Sequence, residues 1–410
     1  MTSDAPQQVV ILVGGLGTRL GSLTSEIPKP LLDIAGRPFL DYLIENAIRF
    51  GFRDFLLLAG YRAHKVAAYI DTARAFLPAA CSINFVVESE PLGTAGAIRH
   101  AANSLQERFL LLNGDSFLDT NWLDLMVASG SPAPLIVMAL RRVEDTSRYG
   151  IVTIQDDLIT GCAERGSQRG GLINAGVYLI DRRILSYLPE VGSFEQSILP
   201  ILAAQGLVRS RTHEGFFLDI GVPAAYADAQ KLFPRLKRRA AVFFDRDGTL
   251  NVDNGYVHRP EDLRLLPGAV AAVKRVNDLG HYVFVVTNQA GVARGYYAES
   301  DVEAFNNHLQ RKLRAAGAHV DDFRYCPDHP EGKVPSYRRI SDWRKPSPGM
   351  FLDLMDYWPI VREISLVVGD KESDVQAGKA AGIHSLLYTG GNLDEFLAPH
   401  LAPAFQIANN

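Results

Sequence analysis

Short apolar runs at residues 9–13, 55–59, 85–87, 109–112 and 135–140 restrict this chain more than any other feature of its sequence. They are too short to cross a membrane and too uniformly apolar for strands with one wet face, so they predict strands buried on both faces of a mostly parallel sheet. Between the first two, Leu40, Leu43, Ile44, Ala47 and Ile48 recur at helical spacing within 39–50, predicting an opening of strand, helix, strand. The pattern lapses over 231–239 and then restarts, with strands at 242–244, 282–286, 364–368 and 385–388 and a helix at 269–278. A chain of 410 residues with such a restart is expected to form two α/β domains, 1–236 and 237–410. No Gly/Ser-rich tether separates them, and Lys237, Arg238 and Arg239 at the junction read as a solvated helix end. No internal repeat is present, which excludes a solenoid.

Hydrophobic residues make up 47% and charged residues 21%, enough apolar material for two ordered cores. A formal charge of -4 exerts no general pull on nucleic acid or anionic lipid, so phosphate must be held by local amides, Lys, Arg and metal. Cys81, Cys162 and Cys326 are odd in number and far apart, which speaks against a disulfide framework and for a reducing, cytoplasmic setting. Residues 1–8 are polar without a basic start, and no stretch approaches a span of about 18 apolar residues, so neither a signal peptide nor a membrane partner is expected.

The first run ends in Gly14-Gly15-Leu16-Gly17-Thr18-Arg19-Leu20-Gly21, followed by Pro28-Lys29-Pro30. Glycines directly after a strand let backbone amides approach a phosphate chain, and Arg19 and Lys29 add positive charge. The Lys-Ser/Thr ending of a Walker loop is missing, and so is a Rossmann fingerprint with its acidic partner, which disfavours ATPase and dehydrogenase readings. Over residues 8–230 the chain resembles the nucleotidyltransferases that make nucleotide sugars. The matching strings are the glycine loop, Pro28-Lys29-Pro30, Glu88 with Pro91-Leu92-Gly93-Thr94-Ala95-Gly96, Asn113-Gly114-Asp115, Glu164, Asn174-Ala175-Gly176 and Asp219-Ile220-Gly221. The resemblance implies a Rossmann-like mixed sheet in which Asp115 and Asp219 hold Mg. It puts Gly14, Gly15, Gly17, Thr18, Arg19, Lys29, Glu88 and Gly93 on the nucleotide, and Asn113, Glu164 and Asn174 on the sugar. Glu164-Arg165 departs from the Glu-Lys common in that family. The chemistry needs little beyond alignment and charge neutralisation, because a sugar phosphate must attack an α-phosphorus between two anions.

The second half opens with Asp245-Arg246-Asp247-Gly248-Thr249 just beyond a buried strand. A nucleophilic carboxylate needs a cation beside it to admit an anionic phosphate, and a second acid nearby can protonate the leaving oxygen. With Thr287-Asn288-Gln289, Lys345 before Pro346, and Gly369-Asp370-Lys371-Glu372-Ser373-Asp374, the string resembles the haloacid-dehalogenase (HAD) phosphatases. The resemblance implies that Asp245 is the nucleophile and Asp247 the general acid and base. Asp370 would complete a Mg site with Asp245 and the Asp247 carbonyl, while Thr287 and Lys345 hold the phosphoryl group and Asp374 orients Lys345. The intervals between the motifs are too short for a large cap.

Gly291-Val292-Ala293-Arg294-Gly295-Tyr296-Tyr297, Cys326-Pro327-Asp328-His329-Pro330 and Arg344-Lys345-Pro346-Ser347-Pro348 are similar to the heptose-1,7-bisphosphate 7-phosphatase branch, whose neighbour is the histidinol-phosphatase branch. By that likeness Asn288, Arg294, Arg344 and Lys371 join the phosphate and sugar contacts. The branch usually carries a structural zinc, but the matching positions here are Cys326, Asp328, Ser341 and Trp343, so no zinc is expected. Dephosphorylating a heptose 1,7-bisphosphate leaves a heptose 1-phosphate, which a nucleotidyltransferase can activate with GTP. The two resemblances therefore imply consecutive steps of nucleotide-sugar synthesis. The alternatives are a hexose-1-phosphate transferase joined to a phosphatase of other specificity, or a regulatory protein with an inactive transferase domain; intact Arg19, Lys29, Asp115 and Asp219 speak against the latter.

Overall fold

The computed structural model describes residues 7–15, 17–163 and 169–401. Two compact units divide the chain, Met1–Arg235 and Leu236–Asn410. The first is built on a nine-stranded sheet in the order Ser82–Val87, Asp54–Ala59, Gln8–Leu12, Arg108–Asn113, Arg169–Asp181, Ile136–Asp145, Val208–His213, Leu158–Ala163, Ile151–Gln155. The first four are mutually parallel and take up four of the predicted runs; Val9, Val10 and Ile11 are wholly buried because both sheet faces are covered, whereas the 85–87 run lies on the edge strand and is not buried on both faces as expected, Phe85 and Val87 being exposed. The remainder corrects the expectation of a mostly parallel sheet. Arg169–Asp181 runs antiparallel to both Arg108–Asn113 and Ile136–Asp145, as the mixed sheet of the family resemblance requires. Ile136–Asp145 takes up the predicted 135–140 run, while Val208–His213 escaped prediction because it buries every second residue from Val208 to Ser210, the pattern of a strand with one wet face.

Strand order reverses beside Gln8–Leu12, whose neighbours are Asp54–Ala59 on one side and Arg108–Asn113 on the other. A crevice opens at the carboxyl ends there, where open α/β sheets take their ligands. A separate ribbon pairs Ser116–Asp119 with Phe216–Asp219 and sets Asp219 opposite Ser116. The helix Pro223–Leu236 is fastened by Phe233, whose ring packs at 4.8–5.5 Å on Phe39, Tyr42 and Phe117.

In the second unit all five strands are parallel, in the order Asp322–Cys326, Tyr282–Asn288, Ala241–Phe244, Leu366–Gly369, His384–Leu387. Val242, Phe244, Val283 and Val285 bury one face under Ala269–Asp278 and the helix Glu299–Ala315. Phe243, Phe284 and Val286 bury the other under the helices Gly349–Tyr357 and Glu372–Ala380. Two covered faces explain why these strands read as unbroken apolar runs. The predicted 364–368 run starts late: Ile364 ends a 3₁₀ turn and is 43% exposed, and the strand is Leu366–Gly369. Among the described residues, the stretch from Asp247 to Thr287 holds a 3₁₀ turn and one helix, and that from Asn288 to Lys345 holds helices, one strand and a 3₁₀ turn, with no cap sheet. Arg239 is not the solvated residue expected: its side chain is buried, donates to the Gly280 carbonyl at 2.9 Å and lies over the Tyr282 ring. No helix among the described residues is long and apolar enough to cross a membrane.

Candidate active sites

In the first unit the glycine loop leaves Gln8–Leu12 at the point where strand order reverses. A Cβ on Gly14 would lie 3.0 Å from the Gly60 nitrogen, and Gly17, at φ +66°, would press one to 2.9 Å from the Lys29 stem, so a side chain at either position would crowd the protein's own neighbouring segments. Leu16 and the side chain of Thr18 lie outside the described residues, as does Glu164. Gly114 makes the same close approach at the end of Arg108–Asn113, where a Cβ would be 2.3 Å from the Leu12 carbonyl. That turn delivers Asp115, which meets the Lys29 ammonium at 3.0 Å.

The ribbon brings in the second carboxylate from more than a hundred residues away: Ile220 donates its backbone N–H to the Asp115 carbonyl at 3.0 Å, and Asp219 Oδ1 accepts from Gly221 at 2.6 Å. Burial pushes the Asp219 carboxyl up, and the neighbouring Asp115 pushes it further. A divalent cation would relieve both effects, so the donor set fits a hard oxygen-seeking metal. Arg19 and Arg148 face the same carboxylate from the positive side.

A cavity of about 760 Å³ takes in Arg19, Asn113, Asp115, Arg148, Asn174 and Asp219. Asn174 donates to the Tyr178 hydroxyl at 2.5 Å, and Asn113 keeps a buried Oδ1 without a partner among the described residues. A second space of about 200 Å³ adjoins Gly15, Lys29, Thr94 and Asp115. Glu88 is used inside the protein: its carboxylate accepts from Leu92 at 3.2 Å and rests so close to Gly60 that a Cβ there would stand 2.2 Å from it. Gly93, at φ +72°, packs on the Gly192 carbonyl and opens the helix Gly93–His100. Sequence reasoning missed Arg148, Tyr149, Glu195 and Gln196, which line the larger cavity. Glu195 accepts from Thr94 at 2.9 Å within a π-helical turn, Phe194–Ile198, a local irregularity common at functional sites that no residue pattern announces.

The second site is assembled at the strand reversal of the other sheet. Asp245 follows Ala241–Phe244 and donates its backbone N–H to Val368, so it stands beside the Gly369-Asp370 turn. Lys345 is 4% exposed and its ammonium reaches Asp245 at 2.6 Å, Asp374 at 2.7 Å and the Val286 carbonyl at 2.7 Å. Burial pushes Asp245 up to about 7 against the pull of Lys345, while Asp245 and Asp374 outweigh burial to keep Lys345 charged. Asp245, Asp370 and Asp374 bring carboxylate oxygens within 4.8 Å of one another. Asp374 is already committed to Lys345 and to the Lys371 amide, but Asp370 Oδ1 is buried without a partner, and burial pushes its carboxyl up. That orphaned oxygen beside Asp245 fits a hard cation. Gly248 permits the approach, since a Cβ there would be 2.3 Å from Asp370.

Asp247 differs from Asp245. Burial alone would raise it, but Arg246, Asn251 and Gln289 reverse the effect and hold it below the usual carboxylate range. A cavity of about 410 Å³ joins Asp245, Asp247, Thr287, Arg294, Arg344 and Lys371. Asn288 is a scaffold: its amide accepts from the Lys345 N–H at 3.1 Å and donates to the Lys345 carbonyl at 3.0 Å. Lys371 pairs with Asp253 at 3.2 Å. The positions expected to have lost zinc do not suit that metal. Asp328 Oδ2 is paired with Arg339 at 2.9 Å, Asp328 Oδ1 is buried with no hydrogen-bond partner among the described residues, and Trp343 has no lone pair to give, leaving one thiol, one carboxylate oxygen and the Ser341 hydroxyl, where structural zinc takes four Cys or His ligands.

Residues 8–235 match the nucleotidyl transferase family, and residues 342–410 the HAD-hydrolase-like family. Among curated proteins, the D-glycero-beta-D-manno-heptose-1,7-bisphosphate 7-phosphatase of Rhodopseudomonas palustris is 47% identical over 160 residues, 39% of this chain and 89% of that one. The D-glycero-alpha-D-manno-heptose 1-phosphate guanylyltransferase of Aneurinibacillus thermoaerophilus is 34% identical over 227 residues, 55% of this chain and 97% of that one. The crystal structure of HddC from Yersinia pseudotuberculosis complexed with GMP-PN superposes with a TM-score of 0.50 at 34% identity, over 56% of this chain and all of that one. A glycine loop with paired carboxylates at one strand reversal and Asp-x-Asp with a buried lysine at another agree with these likenesses, and the chain belongs to the nucleotidyl transferase family through its first unit and to the HAD-type heptose-bisphosphate phosphatases through its second.

Proposed function

We propose that this chain carries out two consecutive steps of nucleotide-sugar synthesis: it removes the 7-phosphate of a heptose 1,7-bisphosphate, then joins the resulting heptose 1-phosphate to GMP from GTP. One observation carries the reading: one relative is named for a phosphatase that leaves a heptose 1-phosphate and another for a transferase that takes a heptose 1-phosphate, the two names differing in anomer, beta and alpha, and both match this one chain.

In the second unit Asp245 attacks the 7-phosphorus, a P–O bond to the carboxylate forms, and the bond to the sugar oxygen breaks. Asp247, which its donors hold as a carboxylate in the free protein, takes up a proton from solvent as the phosphate dianion enters and delivers it to that oxygen. The same carboxylate then takes a proton from water, which attacks the aspartyl-phosphate and frees inorganic phosphate. Lys345 and Thr287 hold the phosphoryl oxygens, with Arg294, Arg344 and Lys371 available to the rest of the anion. In the first unit a phosphate oxygen of heptose 1-phosphate attacks the α-phosphorus of GTP and pyrophosphate leaves. Gly14, Gly15 and Gly17 bring amides to the triphosphate, Arg19 and Lys29 balance its charge, and Asn113 and Asn174 face the sugar. Mg would be held by Asp115 and Asp219 in one unit and by Asp245, Asp370 and the Asp247 carbonyl in the other, where it neutralises phosphate oxygens.

With heptose 1,7-bisphosphate, GTP and Mg, phosphate should be released first, then pyrophosphate and a GDP-heptose. Preference for a hexose 1-phosphate, or for UTP or dTTP over GTP, would sink the substrate assignment.

A further inference from the structure

Asp247 is held more tightly than a carboxylate that must meet substrate needs to be. Arg246 grips it from the interior with two bonds, Nε to Oδ1 at 3.0 Å and Nη2 to Oδ2 at 2.9 Å. That guanidinium is wholly buried, donates also to Asn306 and the Val257 carbonyl, and sits 4.4 Å over the Phe305 ring, so it cannot move with its partner. Asn251 donates to Oδ1 at 2.9 Å and Gln289 to Oδ2 at 2.9 Å.

Two of these donors are side-chain amides; Asn251 also donates to the Val252 carbonyl at 3.0 Å, and Gln289 is held by a side chain outside the set. A side-chain amide can present either its oxygen or its nitrogen to a neighbour, and the wrong choice would set oxygen against a carboxylate. Asp247, which can only accept, takes Nε2, and Tyr297 fastens the other end of the amide: its hydroxyl donates to Gln289 Oε1 at 2.8 Å while Nε2 serves Asp247 and Thr287, both at 2.9 Å. Burial pushes the Tyr297 hydroxyl up to about 12, so it remains a donor at neutral pH. The ring is wedged in place. It stacks on His258 at 4.5 Å and 16°, and it lies over Gly291 so closely that a Cβ there would be 2.1 Å from it. This accounts for a glycine six residues before the tyrosine, a spacing the motif chemistry had not explained.

We infer that Tyr297 is a positioning residue for proton transfer: through Gln289 it fixes the carboxylate of Asp247 where the leaving sugar oxygen is protonated. The inference rests on the reading of Asp247 as general acid, and the experiment separates the two. Departure of a sugar alkoxide needs a proton, whereas p-nitrophenolate leaves without one.

Tyr297→Phe keeps the ring and removes only the donor. Single-turnover rates, with enzyme in excess, are measured on heptose 1,7-bisphosphate and on p-nitrophenyl phosphate for the wild type, Y297F, Q289A, the double variant and D247N, with KM on the sugar substrate and Tm for each. The expected result for Y297F is a fall of about tenfold on the sugar phosphate at unchanged KM, at least about fivefold larger than the fall on the aryl phosphate. Because Tyr297 acts through Gln289, the double variant should lose no more than Q289A alone. An unchanged Y297F, equal loss on both substrates, or additive losses would overturn the proposal while the acid role stands. A D247N variant equally impaired on both substrates would overturn the acid role and the proposal with it. Should Y297F lower Tm markedly, the substrate ratio in Q289A decides, with equal loss on both substrates counting against.

Discussion

At the scale of single residues, the second site separates groups that do chemistry from groups that aim them, and the two kinds look alike in sequence. Asn288 stands in a motif beside Thr287 and invites a role on substrate, yet its amide is spent on both backbone polar groups of Lys345. Its loss should therefore act through Lys345. Asn288→Ala is expected to lower kcat for phosphate release by about 10- to 100-fold, since a misplacement near 1 Å costs that much. Binding of the intact substrate should change far less, and steady-state kinetics with the heptose bisphosphate check this; a large rise in KM with kcat preserved would mean that Asn288 touches substrate directly. Glu88 teaches the same lesson in the other unit. It belongs to a recognisable string, but its carboxylate holds the turn at Leu92 while Arg148, outside every string, lines the cavity.

At the scale of elements, if no zinc binds at Cys326, the loop that ends in Arg344 and Lys345 is held by side chains instead. Asp328, at the end of Asp322–Cys326, is 3% exposed, and Arg339 in the loop supplies its counter-charge. Arg344 also donates to the Asp328 backbone carbonyl at 3.3 Å, a second tie between strand end and loop. Arg339→Ala leaves a buried carboxylate unpaired, and is expected to lower the Tm of the phosphatase unit by roughly 2–4 °C and to reduce kcat/KM. Cys326→Ala should leave phosphatase activity near the wild type. Metal analysis of purified protein should find no stoichiometric zinc, and EDTA should stop both activities without unfolding the second unit. Zinc at one equivalent that disappears in the Cys326 variant would contradict this account.

At the scale of the whole molecule, each unit carries its own carboxylates at its own strand reversal. The two activities should be separable. Asp245→Asn is expected to reduce phosphate release by about a thousandfold or more and to spare nucleotidyl transfer from supplied heptose 1-phosphate. Asp115→Asn should do the reverse. A variant that stays folded, by circular dichroism, and loses both activities would refute independent sites.

The sequence by itself determined the strands covered on two faces, because such strands are written as unbroken apolar runs: Val9, Phe55, Phe109, Val242 and Phe284 all fall in them and are wholly or almost wholly buried. It also displayed the residues proposed to meet phosphate, because few residue types serve at a strand tip, whether glycine in the loop from Gly14 or Asp-x-Asp from Asp245. Tertiary structure alone decided that the 135–140 run lies antiparallel to Arg169–Asp181, and it added strands such as Val208–His213, whose alternating signal is weaker. It alone supplied the ribbon, with strands about a hundred residues apart, that sets Asp219 beside the Asp115 the family resemblance had paired it with, and the contact of the Tyr297 hydroxyl with Gln289. Those relations depend on side chains meeting across distant segments, and pairing between segments has no period along the chain for a sequence to display.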